Sequence, residues 1–183
     1  GTRDPASIID AYHLLIQAQR RHAQDVRNSS SRALDPWEIG FPVRKTDIQT
    51  AVLYLVKHSQ GKWYMPPRHV EACHQMFNDM TQLFGFRIAP TDLHRKLQTF
   101  CLSENPKLHP CEAFDQLRAN HPDWQANSSE WGMVIAYLEE NRSYDDAIKL
   151  WNQMRDAGVE VWDPLRHTMI KVFLAVNNTD EAD

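Results

Sequence analysis

Glycine and cysteine are scarce in this chain of 183 residues, and long apolar runs are absent. Its six glycines form neither a glycine-rich loop that could cradle phosphate nor a G-x-S-x-G turn that could expose a nucleophile. The three cysteines (Cys73, Cys101 and Cys111) include no C-x-x-C pair, and their odd number argues against a disulfide framework. No stretch approaches the roughly 18 consecutive apolar residues of a membrane-spanning helix. We therefore expect a protein that is not an enzyme, with no catalytic residues, no cofactor and no membrane span.

Metal-ligating residue types are also poorly arranged. His69 and Cys73 are spaced to share one face of a helix, and His109 and Cys111 are more remote candidates. Their spacing matches no closed zinc pattern, and buried packing is the simpler explanation for cysteines on apolar helix faces. We expect no metal site.

Apolar residues recur at helical spacing on both sides of the segment Asn141-Arg142-Ser143. The first stripe contains Trp131, Val134, Ile135 and Leu138, and the second contains Tyr144, Ala147, Ile148, Trp151 and Met154. The three residues between them suffice only for a tight turn. Ser143 is predicted to cap the second helix with its hydroxyl, while Asp145 and Asp146 favour the positive end of its dipole. With Gly158 as a left-handed C-terminal cap, the pattern predicts an antiparallel helix pair over 129–157.

An acidic motif repeats at a fixed interval, because Asp145-Asp146-Ala147 returns as Asp180-Glu181-Ala182 after 35 residues. Such a period is typical of stacked helical hairpins. The pattern resembles the pentatricopeptide repeat, a helical hairpin found mostly in organellar RNA-binding proteins. The residues that carry the resemblance are Trp131, Ala147, Trp151, Met154, Gly158 and Val159. The tetratricopeptide repeat has nearly the same period, but it expects small residues where this chain has Ile135 and Met154.

Weaker matches extend over much of the chain. Toward the N-terminus, helices are predicted over 47–58, after Pro66-Pro67, over 91–104 and from Pro110, and MTQLFGFRIAPT looks like a second copy of the methionine–glycine ending. After Gly158, a further first helix is predicted with the stripe Met169, Ile170, Phe173 and Val176. The predicted fold is all-α, an α-solenoid of antiparallel helix hairpins with about three and a half repeats over 46–183. Because the last pair is only half present, we expect the chain to be a fragment of a longer protein.

The first 45 residues do not match the repeat. Asp4-Pro5 is a favourable helix start, and an apolar stripe follows it, formed by Ile8, Ile9, Tyr12, Leu15 and Ile16. Serines at 29–31 and the Pro36, Gly40, Pro42 cluster then predict an irregular connection. We expect 1–45 to be an N-terminal helix and linker.

The resemblance also implies which residues face RNA. In this family each repeat reads one base with the fifth residue of its first helix and the last residue of the repeat. Counting from Ala113 and Ala147, these positions are Gln98 with Asn127, Gly132 with Trp162, and His167 in the last repeat. Gln98 and Asn127 offer hydrogen bonds, whereas Gly132 has no side chain and Trp162 can only stack with little readout. The predicted candidates for backbone contact or stacking are Arg95, Lys96 and Lys171.

Charge is unevenly distributed along the chain, whose net charge is -4. Residues 1–119 carry 15 Lys+Arg against 12 Asp+Glu, whereas residues 120–183 carry 5 against 12. The resemblance implies a mitochondrial module that binds single-stranded RNA in transcript stability, processing or translation. An acidic surface opposes phosphate binding, so a protein-docking scaffold in an organellar gene-expression complex is the alternative.

Overall fold

The computed structural model describes residues 4–29, 43–59, 64–103 and 109–179, and these form eight α-helices. The helices are α1 (Pro5–Ser29), α2 (Lys45–Ser59), α3 (Pro67–Gln82), α4 (Pro90–Cys101), α5 (Pro110–Asn120), α6 (Ser128–Glu140), α7 (Tyr144–Asp156) and α8 (Asp163–Thr179). Within these ranges the only extended pairing is an isolated bridge between Met65 and Ser103. The prediction of an all-helical fold is confirmed for the residues that the structure describes. Every helix in the described part is too short or too polar to cross a bilayer.

The chain divides into two compact units, Gly1–Asn105 and Pro106–Asp183. The helix pair predicted over 91–120 is divided between them, since α4 belongs to the first unit and α5 to the second. The irregular connection predicted after α1 and the motif at 180–182 lie outside the described residues.

In the first unit, α2 packs against α3, and α4 packs against both of them. The N-terminal helix α1 contacts α2 and α3, and its predicted stripe is confirmed because Ile9, Tyr12 and Ile16 are buried. The core of this unit is closed by fully buried side chains from α2 and α3, among them Val52, Leu55, Cys73, Met76 and Met80.

A buried carboxylate links α2 to α4. Asp92 is 0% exposed, and its side chain accepts hydrogen bonds from the Gln49 amide at 2.6 Å and from the Ala89 backbone N–H at 2.8 Å. It also pairs with the Lys45 ammonium at 2.9 Å. Burial raises the pKa of Asp92, but the hydrogen bonds from Ala89, Lys45 and Gln49 outweigh burial, and the pKa lies below its usual value. Three partners thus compensate the burial of one charge.

In the second unit, α6 packs against α7, α8 packs against both, and α5 packs against α6. Trp131 is buried and meets Phe114 of α5 edge-on, with ring centroids 4.8 Å apart. The Arg118 guanidinium lies over the Trp131 ring at 4.7 Å. Trp151 is half-buried.

Three features were predicted for the turns of the second unit: a tight turn at 141–143, a left-handed cap at Gly158 and a capping hydroxyl at Ser143. The first two are present. Arg142, in the predicted turn 141–143, has φ 58°, and Gly158 has φ 70° as a left-handed cap. The prediction for Ser143 was wrong: it occupies the N-cap position of α7, but its hydroxyl makes no capping hydrogen bond. Its ψ of 63° differs from the extended conformation that points a capping side chain at the first turn.

Two further details differ from expectation. Helix α4 ends at Cys101 instead of residue 104, because the Leu102 carbonyl and Ser103 pair with Met65 ahead of α3. On α8, Met169 is buried as predicted, but Ile170 and Phe173 are exposed. The buried stripe of α8 is instead Leu165, Met169 and Val172.

We expect Ala147→Leu to destabilise the second unit, because Ala147 is 0% exposed and overpacking of a core costs roughly 1–3 kcal/mol. A calorimetric melt should show a Tm lower by several degrees. Asn152→Leu places the same side chain on an exposed position of α7 and should leave Tm nearly unchanged. Equal melting of the two variants would show that Ala147 does not lie in a close helix contact.

Asp92→Asn should destabilise the first unit at neutral pH. Since the folded pKa of Asp92 is depressed, its contribution to the free energy of unfolding is present above the unfolded value of about 3.9 and is lost as pH falls through the lower folded value. Denaturant titrations should therefore show that the difference in the free energy of unfolding between the unchanged chain and Asp92→Asn becomes smaller below about pH 4. Asp10→Asn, which removes an exposed pair with Arg68, should change stability little at any pH.

Candidate nucleic-acid interface

Trp162 lies beside α6 at Gly132. A Cβ atom built on Gly132 would be 3.5 Å from Nε1 of Trp162 and 3.9 Å from both δ-methyl groups of Leu165. The indole nevertheless remains 49% exposed. The structure therefore brings together the two residues that the sequence pairs as Gly132 and Trp162, and it leaves an aromatic surface open to solvent beside them.

The start of α8 holds Trp162 in place. Its carbonyl oxygen accepts hydrogen bonds from the backbone N–H groups of Leu165 at 3.1 Å and Arg166 at 3.2 Å. The Leu165 side chain is buried, which fixes the first turn of α8 against the unit's core. A side chain larger than a methyl group at residue 132 would therefore meet the indole of Trp162 directly.

His167 and Lys171 follow on α8, and both are exposed. They are four residues apart and so occupy one face of the helix, one turn from each other. The charge of Lys171 acts on Glu140, which lies at the end of α6. Burial, followed by the neighbouring Glu139, raises the pKa of Glu140, and Lys171 opposes that rise. The cationic character of this face is therefore partly offset by acidic neighbours.

Asn127 begins α6 and is engaged in its cap. Its side-chain oxygen accepts from the Ser129 N–H at 2.8 Å, and its own N–H donates to the Glu130 carboxylate at 2.7 Å. This is a capping box, which the segment Asn127-Ser128-Ser129-Glu130 signals in the sequence and which our sequence analysis missed. With its oxygen committed to the helix, Asn127 has only its amide N–H groups to offer a base.

The remaining candidates lie on α4 of the first unit. Arg95, Lys96 and Gln98 are all half-buried. Burial lowers the pKa of Lys96, because its ammonium is partly removed from water. Gln98 and Asn127, paired in the sequence, belong to different units.

Other chemistry is limited in the described residues. No cluster of three or more His, Cys, Asp or Glu side chains there is placed to hold a metal ion. Burial raises the pKa of Cys73 to about 12 and that of Cys111 to about 11, so both thiols stay protonated at neutral pH. A cavity of about 570 Å³ adjoins Trp124 and Trp131, but both rings are buried, and Arg118 beside them pairs with Asp115 at 3.8 Å.

Comparison of the chain with protein-family models, with curated proteins and with solved structures found no match.

We expect Gly132→Ala to stabilise the protein by about 0.5–1 kcal/mol, because glycine is a poor helix former and the added Cβ meets Trp162 at an ordinary contact distance. Gly132→Leu should instead displace the indole. The difference in iodide quenching between each variant and its Trp162→Phe derivative isolates the signal of this ring among the six tryptophans. Unchanged quenching in Gly132→Leu would show that residue 132 does not set the ring's position.

Proposed function

We propose that this chain is an RNA-binding helical-repeat module that acts in mitochondrial transcript stability, processing or translation. The observation that carries the proposal is the half-exposed Trp162 ring beside Gly132, followed on α8 by exposed His167 and Lys171. Single-stranded nucleic acid is bound by aromatic rings on which bases stack and by cations that contact phosphates. This part of the second unit offers both.

Recurring helix arrangements support the comparison with pentatricopeptide repeats. In each unit a helix pair is followed by a third helix that packs against both members, as α2, α3 and α4 do in the first unit and α6, α7 and α8 in the second. Such packing is expected of stacked hairpins, in which each pair buries the apolar face of the next.

The helix endings recur as well. Met80 and Met154 are both 0% exposed, and each precedes a glycine with positive φ, Gly85 at 63° and Gly158 at 70°. Their carbonyl oxygens accept hydrogen bonds from residues just beyond those glycines, from Phe86 at 2.7 Å and from Val159 at 3.2 Å. The two endings are similar but not identical, since Gly85 lies five residues after Met80 and Gly158 four residues after Met154.

We expect base preference to be weak. Trp162 can stack on any base, Gly132 offers no side chain, and the Asn127 oxygen is occupied by the α6 cap. The side chains left to discriminate are Gln98, the Asn127 amide and His167. RNA binding by this chain should therefore resemble sequence-tolerant strand binding.

Protein docking is the second candidate, favoured by charge. Residues 120–183 carry 5 Lys+Arg against 12 Asp+Glu, and Lys171 has Glu140 nearby. An acidic surface weakens the nonspecific attraction to phosphate. A scaffold in an organellar gene-expression complex would accommodate this charge.

Titration of the chain with pooled single-stranded RNA at low and moderate salt tests the RNA proposal. Trp162→Ala should weaken binding by about 5- to 150-fold, because stacking on one aromatic side chain is worth roughly 1–3 kcal/mol per base. Tyr64→Ala is the matched control, since Tyr64 is similarly exposed at 47% but belongs to the other unit. Lys171→Gln should reduce the slope of log affinity against log salt by about one.

Binding no tighter than about 10⁻⁴ M at low salt would contradict RNA binding and favour protein docking. If RNA binds but Trp162→Ala and Tyr64→Ala behave alike, the chain binds RNA through another surface.

A further inference from the structure

An open cavity of about 290 Å³ lies between α1 and α3, within the first unit. Helix α1 lines it with five residues from Tyr12 to Arg20, and α3 lines it with Gln75 and Asp79. Its volume is close to the lower end of the range found for small-molecule sites. The cavity is therefore large enough for a small organic ligand.

A buried carboxylate faces this cavity. Asp79 is 7% exposed, and its side chain accepts hydrogen bonds from the Tyr12 hydroxyl at 2.6 Å and from the Gln75 amide at 2.9 Å. Burial, followed by the hydrogen bond to Asp79, raises the pKa of Tyr12, so its hydroxyl stays protonated and remains a donor. A carboxylate has about four acceptor sites, and these two neutral donors fill only two of them.

The charge of Asp79 has no direct counter-ion. In the described part of the chain Asp79 forms no ion pair, whereas the buried Asp92 pairs with Lys45 at 2.9 Å. Buried charges in proteins are normally paired. The carboxylate therefore has both the free acceptor sites and the uncompensated charge that an ammonium group requires.

Arg20 supplies the opposite charge in the same cavity. Its side chain is exposed and, among the described residues, forms no ion pair. Its charge reaches the carboxylate end of the cavity, since it opposes the rise in the pKa of Tyr12. A simple cation would be attracted by Asp79 but repelled by Arg20, and a simple anion would meet the reverse. A zwitterion, which carries an ammonium and a carboxylate, complements both residues.

We propose that the cavity between α1 and α3 binds a free α-amino acid with an aliphatic side chain. Asp79 accepts hydrogen bonds from the ammonium group, and the planar guanidinium of Arg20 binds the carboxylate. Ile16, which lies in the cavity wall between them on α1, supplies apolar contact for the side chain of the ligand. The site uses none of the residues assigned to RNA, so the proposal does not depend on RNA binding.

Titration of the isotope-labelled full chain with L-leucine, followed by the amide NMR signals of α1 and α3, tests this proposal. The signals should shift saturably, with a Kd of about 10⁻³ M or tighter. Isopentylamine lacks the carboxylate of leucine and isocaproate lacks its ammonium group. Each should bind about tenfold more weakly or worse, because each leaves one charged partner without its hydrogen bonds.

Matched variants test the two charged residues. Arg20→Gln should weaken leucine binding by about tenfold or more. Arg21→Gln is the control, since Arg21 is also exposed on α1 but does not line the cavity, and its affinity should be unchanged. Asp79→Asn keeps the size of the side chain and removes its charge, so it should also weaken binding by about tenfold or more. Its amide spectrum shows whether the fold is retained.

Absence of saturable shifts up to about 50 mM leucine would overturn the proposal. Equal binding of leucine by the Arg20→Gln and Arg21→Gln chains would overturn it too, as would an affinity for either analogue equal to that for leucine. Arg20 could instead pair with Asp79 directly. In that case the chain would not bind leucine, the side-chain NMR signal of Arg20 would move in Asp79→Asn, and the proposal would be wrong.

Discussion

Short helices that cannot stand alone impose the main constraint on this fold. Helices α4 to α7 contain 11 to 13 residues each, a length at which an isolated helix is marginal in water. Each must gain its stability by burying an apolar stripe against neighbours. The recurring solution is a helix pair with a third helix packed against both members. Small side chains make this possible, and Ala113 and Ala147 are accordingly 1% and 0% exposed.

Polar groups at the helix starts add direction to this apolar packing. Asp92 and Glu130 stand at the third position of α4 and α6, both are buried, and each accepts a hydrogen bond from the backbone N–H that precedes its helix. Asp92 also reaches Lys45 and Gln49 of α2. A buried charge with these partners fixes the rotation of α4 against α2 more narrowly than interchangeable methyl groups could.

Local patterns in the sequence predicted most of the helices and failed where distant contacts decide the outcome. The stripes around 141–143 and the glycine at 158 identified α6, α7 and their boundaries, because helical periodicity and left-handed caps are properties of adjacent residues. The end of α4 depends on a pairing with Met65, which no local pattern reveals.

The same distinction between local patterns and distant contacts applies to the candidate site. The resemblance to the pentatricopeptide repeat paired Gly132 with Trp162, and the two residues lie side by side in the structure. The burial of Lys96 could not be anticipated, because it depends on packing around α4. The role of Asn127 could have been anticipated, since its capping box lies within four consecutive residues. For α8, the sequence identified apolar positions but could not tell which of its two faces is buried.

The turn at Arg142 has a consequence for how tolerant this chain is to change. Among the described residues, Arg142 is the only non-glycine with positive φ. This backbone conformation costs a non-glycine L-amino acid roughly 1–2 kcal/mol. Its side chain is exposed, so packing gives no reason for arginine at this position. A residue that tolerates positive φ at this position would therefore increase the stability of the protein. Glycine or asparagine at residue 142 would offset the loss of stability from a destabilising substitution elsewhere in the α6–α7 pair. No core contact would change, because the side chain of residue 142 is exposed.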